Sequence, residues 1–110
     1  MSEDIKREIT AIIRELKDPR VADRILTVVR VETAHDLSFC KVYISSMDGI
    51  DDAKEAVGAL EHAKGLIRRE LGARLYIKKS PDIRFYADES VQKGIEMFRV
   101  LSDKERARHD

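Results

Sequence analysis

"EHAKGLIRREL", residues 61–71, lies inside a helical pattern running from about Asp51 to Leu71, and it carries a glycine, Gly65, near its middle. An interior glycine costs a helix roughly 1 kcal/mol relative to alanine. Gly65 therefore requires a packing role, a break in the helix, or something that approaches the backbone closely. With about 100° between successive residues, Ala56, Leu60, Ala63, Ile67 and Leu71 gather on one side of the helix. Gly58, Gly65 and Gly72 fall on the other. Close packing against a sheet does not explain a glycine that faces away from the apolar stripe. A break at Gly65, or a ligand reaching its backbone, is the expectation.

Lys64, Arg68 and Arg69 flank that glycine, and Arg74, Lys78 and Lys79 follow it. The whole chain is neutral, with 21 basic and 21 acidic residues, which argues neither for a generic polyanion binder nor for an acidic tail. The charge is nonetheless uneven. Basic and acidic residues number 9 and 12 over residues 1–60, 7 and 3 over 61–84, and 5 and 6 over 85–110. Phosphate suits a basic segment built around an opened helix, where cationic side chains and backbone N–H groups converge. A solvated helix face is the commoner fate of such a cluster, and the residues alone leave both readings open.

Outward from this segment, Ile5, Ile9, Ile12, Ile13 and Leu16 recur at helical spacing and predict an amphipathic helix over about residues 4–17, ended by Asp18-Pro19. Residues 25–33 and "FCKVYIS", 39–45, predict two strands joined as a hairpin. Asp51 and Asp52 are the expected caps of the long helix, and Gly72 its left-handed stop. An extended piece near residues 75–77, a turn at Ser80-Pro81, a strand over 83–87 and a last helix from Ser90 carrying Val91, Ile95, Phe98 and Leu101 complete the pattern. The predicted fold class is α+β, in the order α-β-β-α-kink-α-β with a trailing C-terminal helix. Helices cover one face of a small three-stranded sheet and leave the other open. Residues 1–102 form one domain, and residues 103–110 a polar, frayed tail.

Cys40 is the only cysteine, so no intramolecular disulfide framework and no Cys-rich zinc site can form, and a cytoplasmic location fits. No apolar run reaches the about 18 residues of a membrane span, and the N-terminus lacks the features of a signal peptide. His35, Asp36 and Cys40 do not make a catalytic or metal set: free cysteine in a strand is usually a buried small hydrophobe, and a His-Asp pair in a connector is turn chemistry. G-x-x-x-x-G-K, H-E-x-x-H and G-x-S-x-G motifs are absent. The expectation is a binding module with no catalytic residues, no metal and no cofactor. His62 is read as a solvated helix-face residue, and of the pair Phe85 and Tyr86 the core position is assigned to Phe85.

Three stretches carry a family resemblance: "KDPRV" (17–21), "DLSFCKVYIS" (36–45) and "LEHAKGLIRRELGARLYIKKSPDIRFYADES" (60–90). In these the sequence resembles the ribosome-binding factor A family. The resemblance implies a type II KH-like domain in which an Ala-x-Gly kink, here Ala63, Lys64 and Gly65, replaces the G-x-x-G loop that clamps a nucleic-acid backbone. It also makes Gly65 the hinge between two helical segments. It implies binding to the small ribosomal subunit (30S) and its 16S rRNA by a monomer, assistance in late maturation and 5′-end processing of that RNA, release by a GTPase assembly factor, and a role in growth at low temperature. The implied RNA-binding residues are Lys64, Gly65, Arg68, Arg69, Arg74, Lys78 and Lys79. Lys78 stands where the family commonly has arginine, which turns a bidentate phosphate contact into a point-charge one. Family members often carry further residues, some of them basic, before the first helix, so a shortened N-terminus is expected here. The contrasting reading is a KH-like interaction module whose basic helix docks acidic protein partners.

Overall fold

The structure, a computed structural model, describes residues 2–109, with side chains for 3–90 and 93–101. Its first helix, α1 (Ser2–Glu15), buries Ile5, Ile9, Ile12 and Ile13, the i, i+4, i+7, i+8 stripe that the sequence displays. At Asp18-Pro19 the chain turns into a short helix, α2 (Pro19–Ala22), with proline at its start. The Asp18 carboxylate accepts the Arg20 backbone N–H at 2.9 Å.

Strands β1 (Leu26–Thr33) and β2 (Phe39–Ser46) pair antiparallel, with a register irregularity between Val28 and Arg30. The hairpin turn contains Leu37 at φ 59°, and the Asp36 carboxylate accepts the Ser38 N–H at 3.0 Å. Two helices, α3 (Ile50–His62) and α4 (Lys64–Leu75), then carry the chain to β3 (Asp82–Ala87), which pairs parallel to β2. The sheet order is β1-β2-β3, and α5 (Ser90–His109) follows the last strand.

Alternation decides the faces of the sheet. Cys40, Val42 and Ile44 of β2 and Ile83 and Phe85 of β3 point inward and are buried; Phe85 thus occupies the core position expected of it. They meet Ile5 and Ile9 of α1, Leu60 of α3, and Ile67 and Leu71 of α4 in one cluster. The apolar stripe of the long helical pattern continues through the break between α3 and α4, with Ala63 packed against the cluster's edge.

Several expected boundaries shift. The cap of α3 is Gly49, at φ 106°, a conformation that side chains disfavour; Asp51 and Asp52 lie inside the first turn. Asp52 serves α3 differently, accepting a hydrogen bond from the Ser46 hydroxyl and an ion pair from Arg24 at 3.1 Å. Gly72 is not a stop. The helix continues to Leu75, and the left-handed residue is Tyr76 (φ 55°, ψ 37°), after which Ile77 N–H returns to the Gly72 carbonyl at 3.1 Å. The extended piece expected near 75–77 is therefore the end of α4 and its cap. Helical spacing holds for α5, but Ile95, Phe98 and Leu101 are all more than half exposed, and the Val91 side chain lies outside the described residues. So do the side chains of the polar tail expected over residues 103–110.

The first and last helices consequently predict opposite thermodynamics. Ile9→Ala, at a fully buried site, should lower the unfolding free energy by about 2–5 kcal/mol in denaturant titration. Ile95→Ala, at an exposed site, should change it by no more than about 0.5 kcal/mol.

Candidate nucleic-acid interface

The break in the long helix falls at Ala63, two residues before Gly65. Ala63 (φ −90°, ψ 6°) ends α3 and begins α4; its N–H bonds back to Ala59 and Leu60 carbonyls at 3.1 Å, and its carbonyl accepts Ile67 N–H at 3.0 Å. Gly65 lies in the first turn of α4 and is not the hinge. Its environment is nonetheless open: a Cβ built there would meet nothing within 4 Å, and the same is true of Gly58. Both glycines thus face away from the core, as their phase on the helix predicts.

One carboxylate fastens the break to the sheet. Glu61 accepts the Phe85 backbone N–H at 3.0 Å and pairs with Lys64 at 2.7 Å. Burial works against the charge of Glu61, but the hydrogen bonds from Lys64 and Phe85 outweigh it and hold the carboxyl below the usual carboxylate range. Lys64 is half-buried in this arrangement, so its charge is already matched.

The remaining cations divide by what they touch. Gly65, Arg68, Arg69, Gly72 and Tyr76 share one side of α4 by helical phase. Arg68 is half-buried and donates through Nε to the Pro81 carbonyl at 3.2 Å and through a terminal nitrogen to the Ser80 carbonyl at 3.3 Å. Arg68, one of the implied RNA-binding residues, is thus engaged internally: the guanidinium is a strut between α4 and the loop that enters β3. The loop passes close to Gly72, one turn on, where a Cβ would make ordinary van der Waals contact with Ile77 O and the Ser80 Cβ at 3.7 Å. Arg74 is also structural. It binds Glu15 at 2.6 Å, with Glu8 and Glu70 at 3.7 Å, and ties α4 to α1.

Arg69, Lys78 and Lys79 are exposed and have no ion-pair or hydrogen-bond partner among the described residues. Arg68 anchors Ser80 and Pro81 to α4; Lys78 and Lys79 immediately precede them in that loop, and Lys79 lines a surface cleft with Asp36, Leu37 and Ser38 of the hairpin turn. Each of these three cations can bind a phosphate without first breaking an internal bond, and Arg69 does so from the α4 side that carries the open position at Gly65.

Elsewhere the chemistry is quiet. Cys40 is fully buried, and burial, with a smaller contribution from Asp82, pushes its thiol up to about 11. A neutral buried thiol is a poor nucleophile. His62 is exposed, as expected. No group of three or more His, Cys, Asp and Glu among the described residues could hold a metal ion, and no helix among them is long and apolar enough to cross a membrane. What the sequence did not disclose is the outer face of the sheet, where Arg30 lies 4.2 Å over the Tyr43 ring and Tyr43 stacks on Tyr86 at 5.5 Å. The period-2 alternation of β2 and β3 was the signal available for it.

A three-stranded sheet with a parallel β2-β3 pair, bridged by two helices that meet at one residue, defines a type II KH-like α+β domain with a basic side. The chain belongs to the ribosome-binding factor A family, whose profile matches residues 1–101. It is 36% identical over 104 residues to ribosome-binding factor A of Acetivibrio thermocellus, a match covering 94% of this chain and 84% of the relative. It is 39% identical over 105 residues to that of Azoarcus sp., covering 94% and 82%. The crystal structure of ribosome-binding factor A from Thermus thermophilus superposes with a TM-score of 0.70 at 26% identity, over 81% of this chain and 92% of that one. A homology model of the Thermus thermophilus factor, fitted into the cryo-EM map of a complex of the 30S subunit with ribosome-binding factor A, superposes with a TM-score of 0.66 at 26% identity, over 80% of this chain and 91% of that one.

Neighbouring arginines should separate in melting experiments. Arg68→Ala removes a charged donor from two carbonyls and should cost about 1.5–3 kcal/mol, whereas Arg69→Ala should stay within about 0.5 kcal/mol of wild type. Cys40 should resist thiol reagents at pH 8 in the native chain and react promptly in denaturant. Because folding raises its pKa from 9.0 to about 11, the stabilisation that goes with the neutral thiol is complete below pH 9 and is lost as pH rises toward 11.

Proposed function

We propose that this chain binds the small ribosomal subunit through its 16S rRNA, acting in the cytoplasm as a monomer that assists late maturation and 5′-end processing of that RNA without catalysis. Membership of the ribosome-binding factor A family along nearly the whole chain carries the reading, together with the 30S complex of a relative whose coordinates share the fold. The site supports it physically. Arg69 on α4 and Lys78 and Lys79 in the loop before β3 supply unmatched charge, and Gly65, on the same side of α4 as Arg69, supplies an open backbone. Within the reading, Arg68 and Arg74 act as positioning residues that hold α4 and the loop before β3, and Lys64 acts through its pairing with Glu61.

Binding of this kind assists assembly only by discriminating between RNA conformations. A factor that holds an immature conformation more tightly than the mature one shifts the population by that difference in binding free energy. Completion of the RNA then weakens the grip, and a GTPase assembly factor that favours the mature conformation completes release. A larger share of RNA is trapped in wrong pairings in the cold, which gives such a factor its greatest use at low temperature.

Co-sedimentation with mature and precursor small subunits at two salt concentrations tests the proposal. Wild type should sediment preferentially with precursor particles. A variant carrying Arg69→Glu, Lys78→Glu and Lys79→Glu should bind weakly, melt near wild type, and show a log K against log salt slope reduced by about 0.7–0.9 for each phosphate it no longer neutralises. Full binding by this variant would remove the site from α4 and its loop. Binding that survives ribonuclease digestion of the particle would instead assign the basic face to an acidic protein.

A further inference from the structure

Helices cover one face of the sheet, and the other is uncovered among the described residues. Its outward side chains are Phe39, Lys41 and Tyr43 on β2, Arg84 and Tyr86 on β3, and Arg30 with Glu32 on β1. The register places Arg30, Tyr43 and Tyr86 in one row across the three strands. The Arg30 guanidinium sits 4.2 Å from the Tyr43 ring centroid, and the Tyr43 and Tyr86 rings lie 5.5 Å apart with 25° between their planes. Arg30 and Tyr86 come from opposite neighbours of β2, so both faces of Tyr43 are occupied. The Tyr43 hydroxyl donates to Glu32 at 3.1 Å and fixes the ring further.

Tyr86 differs in one respect. β3 is an edge strand, so the row ends there, and the second face of the Tyr86 ring carries no aromatic or cationic partner among the described residues. Tyr86 as a residue is 39% exposed. A π-face held rigid at the end of a stack is prepared for one more planar group, because the ordering cost has already been met by the row behind it.

The charge beside it selects the kind of group. Along the same face, one side-chain row away at about 6.5 Å, stand Lys41, without an ion-pair partner among the described residues, and Arg84, over the Phe39 ring at 5.4 Å. Three carboxylates lie at the face: Glu32, 3.5 Å from Arg30; Asp82, 3.8 Å from Arg84; and Asp88, two residues past Tyr86, which accepts the Ser90 N–H at 2.7 Å and whose charge interacts with Arg30. Three cations against three carboxylates balance the face overall, but the Arg30 and Arg84 pairs are loose and Lys41 has no ion-pair partner among the described residues. A peptide aromatic would satisfy the ring alone. A nucleotide satisfies the ring with its base and the cations with its phosphate.

We propose that the free face of Tyr86 is a stacking position for one unpaired base of single-stranded RNA, with Arg84 and Lys41 holding the adjoining phosphates. The proposal deepens the RNA-binding reading and rests on it, but the position lies on the sheet and not on α4.

The test compares a short single-stranded RNA with an abasic strand of the same length, by anisotropy of a labelled strand bound to the full chain. Wild type should bind the base-bearing strand about tenfold more tightly, the effect of one base-aromatic stack. Tyr86→Ala should abolish that ratio without altering the salt slope, and Tyr86→Phe should retain it. Should Tyr86→Ala fail to fold, Tyr86→Leu, which keeps apolar bulk without a π-face, gives the same readout. The Arg69→Glu, Lys78→Glu, Lys79→Glu variant should flatten the slope and keep the ratio. Equal binding of the two strands by wild type, or an undiminished ratio in Tyr86→Ala and Tyr86→Leu, overturns the proposal. So does loss of small-subunit binding by Tyr86→Ala with the ratio intact, which gives the face to a protein. A wild type that discriminates the strands but does not sediment with small subunits upholds the stacking position and sinks the ribosomal reading.

Discussion

Everything in this fold follows from β3 pairing parallel to β2. Antiparallel neighbours can be joined by a tight turn, as β1 and β2 are, but a parallel partner requires the chain to travel back across the sheet first. Residues 47–81 make that journey. One straight helix over residues 50–75 would run about 39 Å, roughly twice the about 20 Å of a six-residue strand. Breaking it at Ala63 resolves the mismatch: α3 packs on β2 and β3, and α4 turns onto α1.

Glu61 holds that solution in place. Its carboxylate occupies the N–H of Phe85 on the outer edge of β3, and its pairing with Lys64 spans the break. The edge strand and the two-helix crossover are thereby fastened at one point. A basic cluster that reads as uniform in sequence is consequently divided in space. Arg68 and Arg74 are committed to the loop before β3 and to α1, and what remains without a partner among the described residues is Arg69 on α4 and Lys78 and Lys79 in the loop.

Two surfaces with different physics result. The α4 side offers unmatched charge and an open backbone, suited to phosphates and sensitive to salt. The outer sheet face offers a rigid aromatic row beside balanced charges with one unmatched lysine, Lys41, and stacking of the kind it would support is little affected by salt. A chain of zero net charge can use both, because a local field within about a Debye length of 8–10 Å matters more to a docked strand than the total.

By itself the sequence determined the class of fold, the position of nearly every element, the inward faces of α1, β2 and β3, and the family. These are local or periodic properties: Ile5, Ile9, Ile12 and Ile13 declare their face by spacing alone, as Cys40, Val42 and Ile44 do. It also located the basic segment and the glycines that face away from the core. Only the tertiary structure decided that the break falls at Ala63, that Tyr76 rather than Gly72 takes the left-handed turn, and that Arg68 binds carbonyls 12 and 13 residues away while Arg69 binds nothing among the described residues. Adjacent arginines are chemically identical in sequence, and what separates them is about 100° of helix rotation together with the place where the loop before β3 happens to pass. The Arg30-Tyr43-Tyr86 row was hidden for the same reason: its members come from three strands, and only the register brings them together.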